Sequence, residues 1–329
     1  MTRPQLIAIE AGILAIGLVI VYALVGWPFG GSDHTVAVAD PTTTAHKLSS
    51  VTVTPAPHPT PAGATDAPTD SCGPAVTPSF LSANQVVSYY GNPYAQTLGI
   101  LGEHSAEELV PLLNQQAATI DGLNGIRGVE PAFHIVYATA QGQPGNDGLY
   151  LQHVDDDTIR HYIDVACQNH FLVFLDLQNG RSDPLAELQH IEPFLRSSNV
   201  HVAMDPEFTM SSDEVPGQAI GHLDASQINA AQQELESFVE QSALPDKILV
   251  VHQFDDGMIT NPDQIQSFPH VQLVIDMDGF GPADGKVSKF EKFAQPAENS
   301  GIKIFFHQDD PRLTDEEVVA LDPDLIIYQ

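Results

Sequence analysis

The sequence predicts a (β/α)8 barrel of the TIM type, carried behind a membrane-spanning helix and a stalk. Three observations carry this. Short apolar runs recur eight times between residues 80 and 329. Helical segments with recognisable start signals fill the gaps between the runs. The runs end in polar side chains but begin in apolar residues or lysine, the polarity expected where a site is built at the C-terminal ends of barrel strands.

The first element is a mostly apolar stretch of 22 residues from Leu6 to Trp27. At 1.5 Å per residue it is long enough to cross a hydrocarbon core of about 30 Å. Arg3 and the amino terminus are the only positive charges nearby, and the next basic residue is Lys47. That asymmetry predicts a single-pass protein in the cell membrane, with residues 1–5 cytoplasmic and the remainder extracytoplasmic. A cleaved signal peptide, with "AVA" at 37–39 as the cleavage site, fits less well. The run exceeds a 7–15-residue signal core, and "AVA" sits about ten residues beyond it.

Residues 28–79 are rich in Pro, Thr, Ala and Val. Such a segment buries too little apolar area to offset its ordering entropy, so it reads as a stalk leading to a barrel domain at 80–329. The two cysteines, Cys72 and Cys167, are expected to pair in an oxidising exterior. A bridge there clamps the tether beneath the barrel.

Composition narrows the partners. Only 12 Lys and Arg stand against 43 Asp and Glu, a net charge of −31. A surface this acidic repels phosphate backbones and anionic lipid headgroups, which excludes nucleic acid as a partner while leaving neutral glycans and divalent cations open.

The eight strands are "VVSYY" (86–90), "FHIVYA" (133–138), "FLVFLDL" (171–177), "VHVAMD" (200–205), "KILVVHQF" (247–254), "VQLVID" (271–276), "IKIFFHQ" (302–308) and "DLIIYQ" (324–329). Continuous apolar runs of this kind suit parallel strands buried on both faces. Between them, Ser105 with Glu108 and Thr314 with Glu317 form capping boxes, and Asp183-Pro184 and Asn261-Pro262 place a cap before a first-turn proline. Ile159, Tyr162, Ile163 and Ala166 fall at helical spacing, as do Ile228, Ala231, Leu235, Phe238 and Val239. An open doubly wound sheet is disfavoured because no glycine-rich phosphate loop follows the first strand. The chain ends at Gln329, so no eighth helix is expected.

The strand ends supply the candidate site. Tyr89, Tyr90, Tyr137, Asp176, Gln178, Asp205, Glu207, His252, Gln253, Asp276, Asp278, His307, Asp309 and Tyr328 all fall there. Acids, aromatics and amides around one mouth suggest carbohydrate, including cell-envelope glycan. Glycoside hydrolysis needs a protonated carboxyl to assist the leaving group and a second carboxylate as nucleophile or base. The candidates for these roles are Glu207, Asp205, Asp276, Asp278 and Asp176. Tyr90, Tyr137, Gln178, His252, Gln253, His307, Asp309 and Tyr328 are candidates for holding substrate. Asp205 and Glu207 should project together, since alternate strand residues share a face.

Two other classes remain open. Imidazole and carboxylate side chains also suit a metal-dependent hydrolase or deacetylase, with a divalent cation as cofactor and His252, His307, Asp176, Asp205 and Asp276 as donors. "FDDG" (254–257) resembles the polysaccharide deacetylase motif, but no paired-histidine motif follows it, and neither HxH nor HExxH occurs. A non-catalytic barrel that binds glycan or protein would give the same census.

With "YYGNP", "LQNGRSD", "HVAMDPEF", "VVHQF" and "IDMDGFG" in this order, residues 86–329 resemble a family of exported actinobacterial-type barrel proteins. More broadly the domain is similar to glycoside-hydrolase-like barrels. The resemblance implies the fold and singles out Glu207 as the acid, because many such glycosidases carry theirs after the fourth strand. Asp276 or Asp278 is then the partner carboxylate. "DPEF" differs from the Asn-Glu ending of the largest barrel glycosidase clan, and the chitinase-type DxxDxDxE is absent.

Overall fold

The computed structural model describes residues 72–329, with the sheet and helices assigned throughout that range. The apolar run 6–27, the stalk up to residue 71 and the orientation across a membrane lie outside the described residues. Among the described residues no helix is long and apolar enough to cross a membrane.

Eight strands form one parallel barrel: β1 (Asn84–Gly91), β2 (Gly128–Ala140), β3 (Leu172–Leu177), β4 (Val200–Met204), β5 (Lys247–Gln253), β6 (Val271–Met277), β7 (Asn299–Ile304) and β8 (Leu325–Tyr328). The sheet closes because β1 pairs in parallel with both neighbours: Val86 stands opposite Glu130 of β2 and Leu325 of β8. Each run named in the sequence contributes one strand. Closure leaves none of the eight as a bare edge.

Outside the strands pack α1 (Ala106–Asp121), α2 (Asp156–Asn169), α3 (Pro184–Leu195), α4 (Ala225–Ser242), α5 (Ala283–Phe293) and α6 (Asp315–Ala320). Both expected capping boxes form, at Ser105–Glu108 and Thr314–Glu317, and Asp183 accepts hydrogen bonds from the first-turn amides of α3. The apolar faces of α2 and α4 are buried as their spacing requires.

One expected helix start is absent. Asn261-Pro262 opens only a three-residue 3-10 turn, Pro262–Gln264, in which Asn261 has φ 53° and its side chain caps nothing. Pro269 follows closely and disfavours a helical Phe268, so the β5–β6 connection holds no room for a full helix. A short strand, Leu151–His153, also pairs antiparallel with the end of β2, an element the apolar pattern did not announce.

Strand alternation divides the core in two. Val87, Phe133, Val173, Val202, Leu249, Ile275, Ile302 and Ile326 face outward and pack against the helices. Val86, Ala132, Val136, Leu172, Phe174, Ala203, Ile248, Val250, Val274, Leu325 and Ile327 fill the interior, together with Val76, Phe80 and Leu81. These last three come from residues preceding β1, so the barrel core includes Val76, ahead of residue 80.

Hydrogen bonds trace that leading segment beneath the strands. Ser198 Oγ donates to Cys72 O, Asp246 N to Val76 O, Gln272 Nε2 to Thr77 O, and Leu81 N to Gln272 Oε1. Residues 72–83 thus close the N-terminal end of the barrel. The disulfide Cys72–Cys167 is formed and joins this segment to the last turn of α2.

Candidate functional site

The same alternation that fills the core decides which polar side chains enter the mouth. Positions 90, 176, 205, 252, 276 and 303 continue the inward-facing series of β1, β3, β4, β5, β6 and β7. The structure therefore gathers Tyr90, Asp176, Asp205, His252, Asp276 and Lys303 at the C-terminal end of the barrel, with Asp278 and Glu207 just beyond.

The deepest part is a chain of paired groups. Tyr90 Oη donates to Asp176 Oδ2 at 2.7 Å. His252 lies between two carboxylates, with Nδ1 2.8 Å from Asp276 Oδ2 and Nε2 3.5 Å from Asp176 Oδ2. Lys303 Nζ contacts Asp278 Oδ1 at 3.1 Å. Asp176, His252 and Asp276 are fully buried. Gly301, also facing inward, has no side chain for a physical reason: a Cβ there would stand 2.7 Å from Asp276 Oδ1.

Glu207 reaches the mouth by a different route. β4 ends at Met204, and Asp205 caps a 3-10 turn, Pro206–Phe208, by accepting a 3.1 Å hydrogen bond from Glu207 N. Glu207 O in turn accepts from Gly221 N at 2.7 Å. A side chain at Gly221 would collide with Thr209 O at 2.3 Å, so the returning loop can lock the turn only with glycine. The two acids do not share a simple strand face, yet they remain close enough to repel each other.

Burial and neighbouring charges separate the titrations of these groups. Burial, then the repulsion of Asp205 and Asp278, pushes the Glu207 carboxyl up to about 8. Burial and Asp176 push Asp205 up to about 7. Burial also disfavours charge on Asp176, but the charge and hydrogen bond of His252 outweigh it and hold that carboxyl below the usual range. For His252, burial is outweighed by Asp176 and Asp276, which hold the imidazolium charged well above its ordinary pKa. His134 and His201, buried one layer deeper, are pushed the other way and stay neutral.

Several sequence candidates fall elsewhere. Tyr137 lies beside a register shift between Val136 and Ala138 and faces outward, against His153, His190 and Phe194. Tyr328 and Tyr89 also have outward parity; Tyr328 Oη donates to Asp315 of α6 and Tyr89 Oη to Leu112 O. His307 sits on the exposed rim, its Nε2 3.2 Å from Glu103 Oε1. Asp309 is a structural hub, accepting from Phe305 N and Gly281 N and pairing with Lys286 at 3.0 Å. Gln178 and Gln253 stay near the mouth: Gln178 Oε1 accepts from Ala140 N while its Nε2 donates to Asp205 Oδ2 at 3.5 Å, and Gln253 Nε2 donates to Asp255 O.

Lys303, His134, His201 and Gly301 were not among the candidates. Lys303 was legible, because a lysine at an inward position between Ile302 and Ile304 has to be paired. His252, Asp276 and Asp278 have donor atoms within metal-binding reach of one another, as do His134, Asp176 and His252. In the first set the Lys303 ammonium already neutralises Asp278, and both ring nitrogens of His252 face carboxylates. One cation in this site is the Lys303 ammonium.

Fold and site together define an eight-stranded parallel β/α barrel with an acidic, lysine-bridged constellation at the C-terminal ends of its strands. No family model matches the chain, and no curated protein matches it. Among solved structures, the chain is similar to a tri-modular GH5 (subfamily 4) endo-beta-1,4-glucanase from Bacillus licheniformis, complexed with cellotetraose. The TM-score is 0.40 and the identity 12%, over 77% of this chain and 56% of that one.

Proposed function

We propose that the barrel acts on a neutral carbohydrate by acid–base chemistry, with Glu207 as proton donor and Asp278 as the partner carboxylate. The observation that carries this reading is the pairing of contrasted acids at the strand ends. Glu207 keeps its proton near neutral pH, while Asp278 is held against the Lys303 ammonium. Leaving-group protonation requires a carboxyl that holds its proton, with a second acid group in the same mouth. Asp176, His252 and Asp276 lie behind them as a fixed charge network. Tyr90 supports that network through its hydrogen bond to Asp176.

The acidic surface suits an uncharged glycan better than a phosphorylated one. Membrane tethering belongs to the same proposal, supported by the 22-residue apolar run and by a disulfide that suits an oxidising compartment.

The test is release of reducing ends from a panel of soluble glucans, chitin oligomers and peptidoglycan glycan strands, by wild type and Glu207→Gln. Loss of general acid catalysis lowers turnover by about 10²-fold or more. Equal turnover by the folded variant removes Glu207 from the mechanism. A second reading is favoured by the full burial of Asp176 and Asp276: the network serves to specify barrel packing, and the mouth binds glycan without turnover. Saturable glycan binding without product from any substrate would select it.

A further inference from the structure

A second cluster of ligating side chains lies outside the barrel, where the proposed chemistry has no use for it. We propose that His153, Glu187 and His190 form a binding site for one divalent transition-metal ion of the zinc type. His153 arrives on the short antiparallel strand Leu151–His153, and Glu187 and His190 stand one turn apart on the same face of α3. One ligand atom from each lies within 4.8 Å of the other two. His153 Nε2 is 2.7 Å from Glu187 Oε2, and the His153 and His190 ring centroids are 4.8 Å apart.

The carboxylate is aimed rather than loose. Glu187 is only 5% exposed, and its other oxygen accepts a hydrogen bond from Ser182 Oγ. An outer hydroxyl that fixes a ligating carboxylate is a regular feature of metal shells. His190 points its ring at the cluster, and neither of its ring nitrogens has a hydrogen-bond partner among the described residues. Tyr137 forms the apolar floor, its ring centroid 5.3 Å from that of His153 and 6.1 Å from that of His190.

Two imidazoles with one carboxylate select zinc-type ions over magnesium or calcium, which prefer all-oxygen shells. The outer side is open, because His190 is exposed, leaving a fourth position for water. An ion here ties the strand at 151–153 to α3. It thereby fixes one end of the 141–150 excursion, whose Tyr150 ring lies 4.3 Å under the Arg181 guanidinium beside the mouth.

The experiment uses the full chain, stripped with chelator and titrated with zinc by calorimetry, with cobalt absorbance and melting temperature as parallel readouts. The expected result is one zinc ion per chain, a tetrahedral-type cobalt spectrum and a zinc-dependent rise in melting temperature. His153→Ala and His190→Ala should each weaken binding by more than about 10-fold and abolish the rise. In chelator the exposed His190→Ala should melt as wild type, whereas His153→Ala, which also loses its 2.7 Å contact with buried Glu187, should melt lower. His161→Ala, which breaks the separate His161–Glu107 pair and a ring contact with Tyr162, should bind as wild type. Zinc affinity retained in the His153→Ala/His190→Ala double variant, or no zinc-dependent rise in the wild type, overturns the site.

Discussion

Lys303 Nζ stands 3.4 Å from the centroid of the Tyr90 ring, a cation held against an aromatic face inside the barrel. The same ammonium binds Asp278, and the same tyrosine binds Asp176 through its hydroxyl, so one lysine links acids on β3 and after β6. Burial alone would lower its pKa, but Asp278 and Asp176 outweigh that and raise it. Lys303→Met leaves Asp278 without its nearest cation. Removing one member of a buried pair costs about 3–5 kcal/mol. Urea unfolding at neutral pH should show a loss of that order, and a near-neutral result would mean that the acids are protonated or hydrated in the fold.

Glu207 sets a pH dependence with a definite sign. Its carboxyl keeps its proton up to about 8 in the folded chain, against an ordinary value of 4.5. Between these values the folded state binds more protons than the unfolded state, so this group's contribution to stability is lost as pH rises through the window. Glu207→Gln removes the dependence. The variant should gain on wild type progressively from about pH 4.5 to about pH 8. A constant difference across that range would refute the raised proton affinity.

Two tyrosines at strand ends should behave oppositely. Tyr90→Phe strips a hydrogen bond from the buried Asp176 and should cost about 1–3 kcal/mol while also disturbing the mouth. Tyr328→Phe loses its bond to Asp315 on the outer face and should affect stability alone, by about 1 kcal/mol. Denaturation midpoints and glycan binding, measured side by side, separate the two. Impaired binding by the Tyr328 variant would contradict the parity assignment.

The Cys72–Cys167 bridge closes a sequence separation of 95 residues. Chain-entropy arguments assign a loop of that length about 4.7 kcal/mol. The Cys72→Ser/Cys167→Ser double variant should melt lower by a corresponding amount, and wild type in reductant should melt with it. Divergence between the two would show that serine perturbs the packing independently.

Much of the barrel was legible because its strands are continuous apolar runs and its helices open with Ser105, Asp183 and Thr314 as caps. The Asn261-Pro262 signal misled because a local start cannot extend far into a segment that ends at Pro269. For the site, the apolar runs show where each strand ends, while the face that each end residue presents depends on its parity with the core. Tyr137 and Tyr328 have the right height and the wrong parity, whereas Lys303 has the right parity but no place in a search for acids and aromatics. The His153–Glu187–His190 cluster was hidden for another reason. Only the unannounced antiparallel strand brings His153 to α3.

The way residue 72 joins the barrel has a mechanical consequence. A pull along the chain from upstream reaches Cys72 first and passes through the sulfur–sulfur bond into α2. The hydrogen bonds that hold residues 73–83, and the pairing of β1 with β8, stay slack while that bond is intact. Under reducing conditions the same pull would instead peel the leading segment away residue by residue, withdrawing Val76, Phe80 and Leu81 from the barrel interior and opening its base to water.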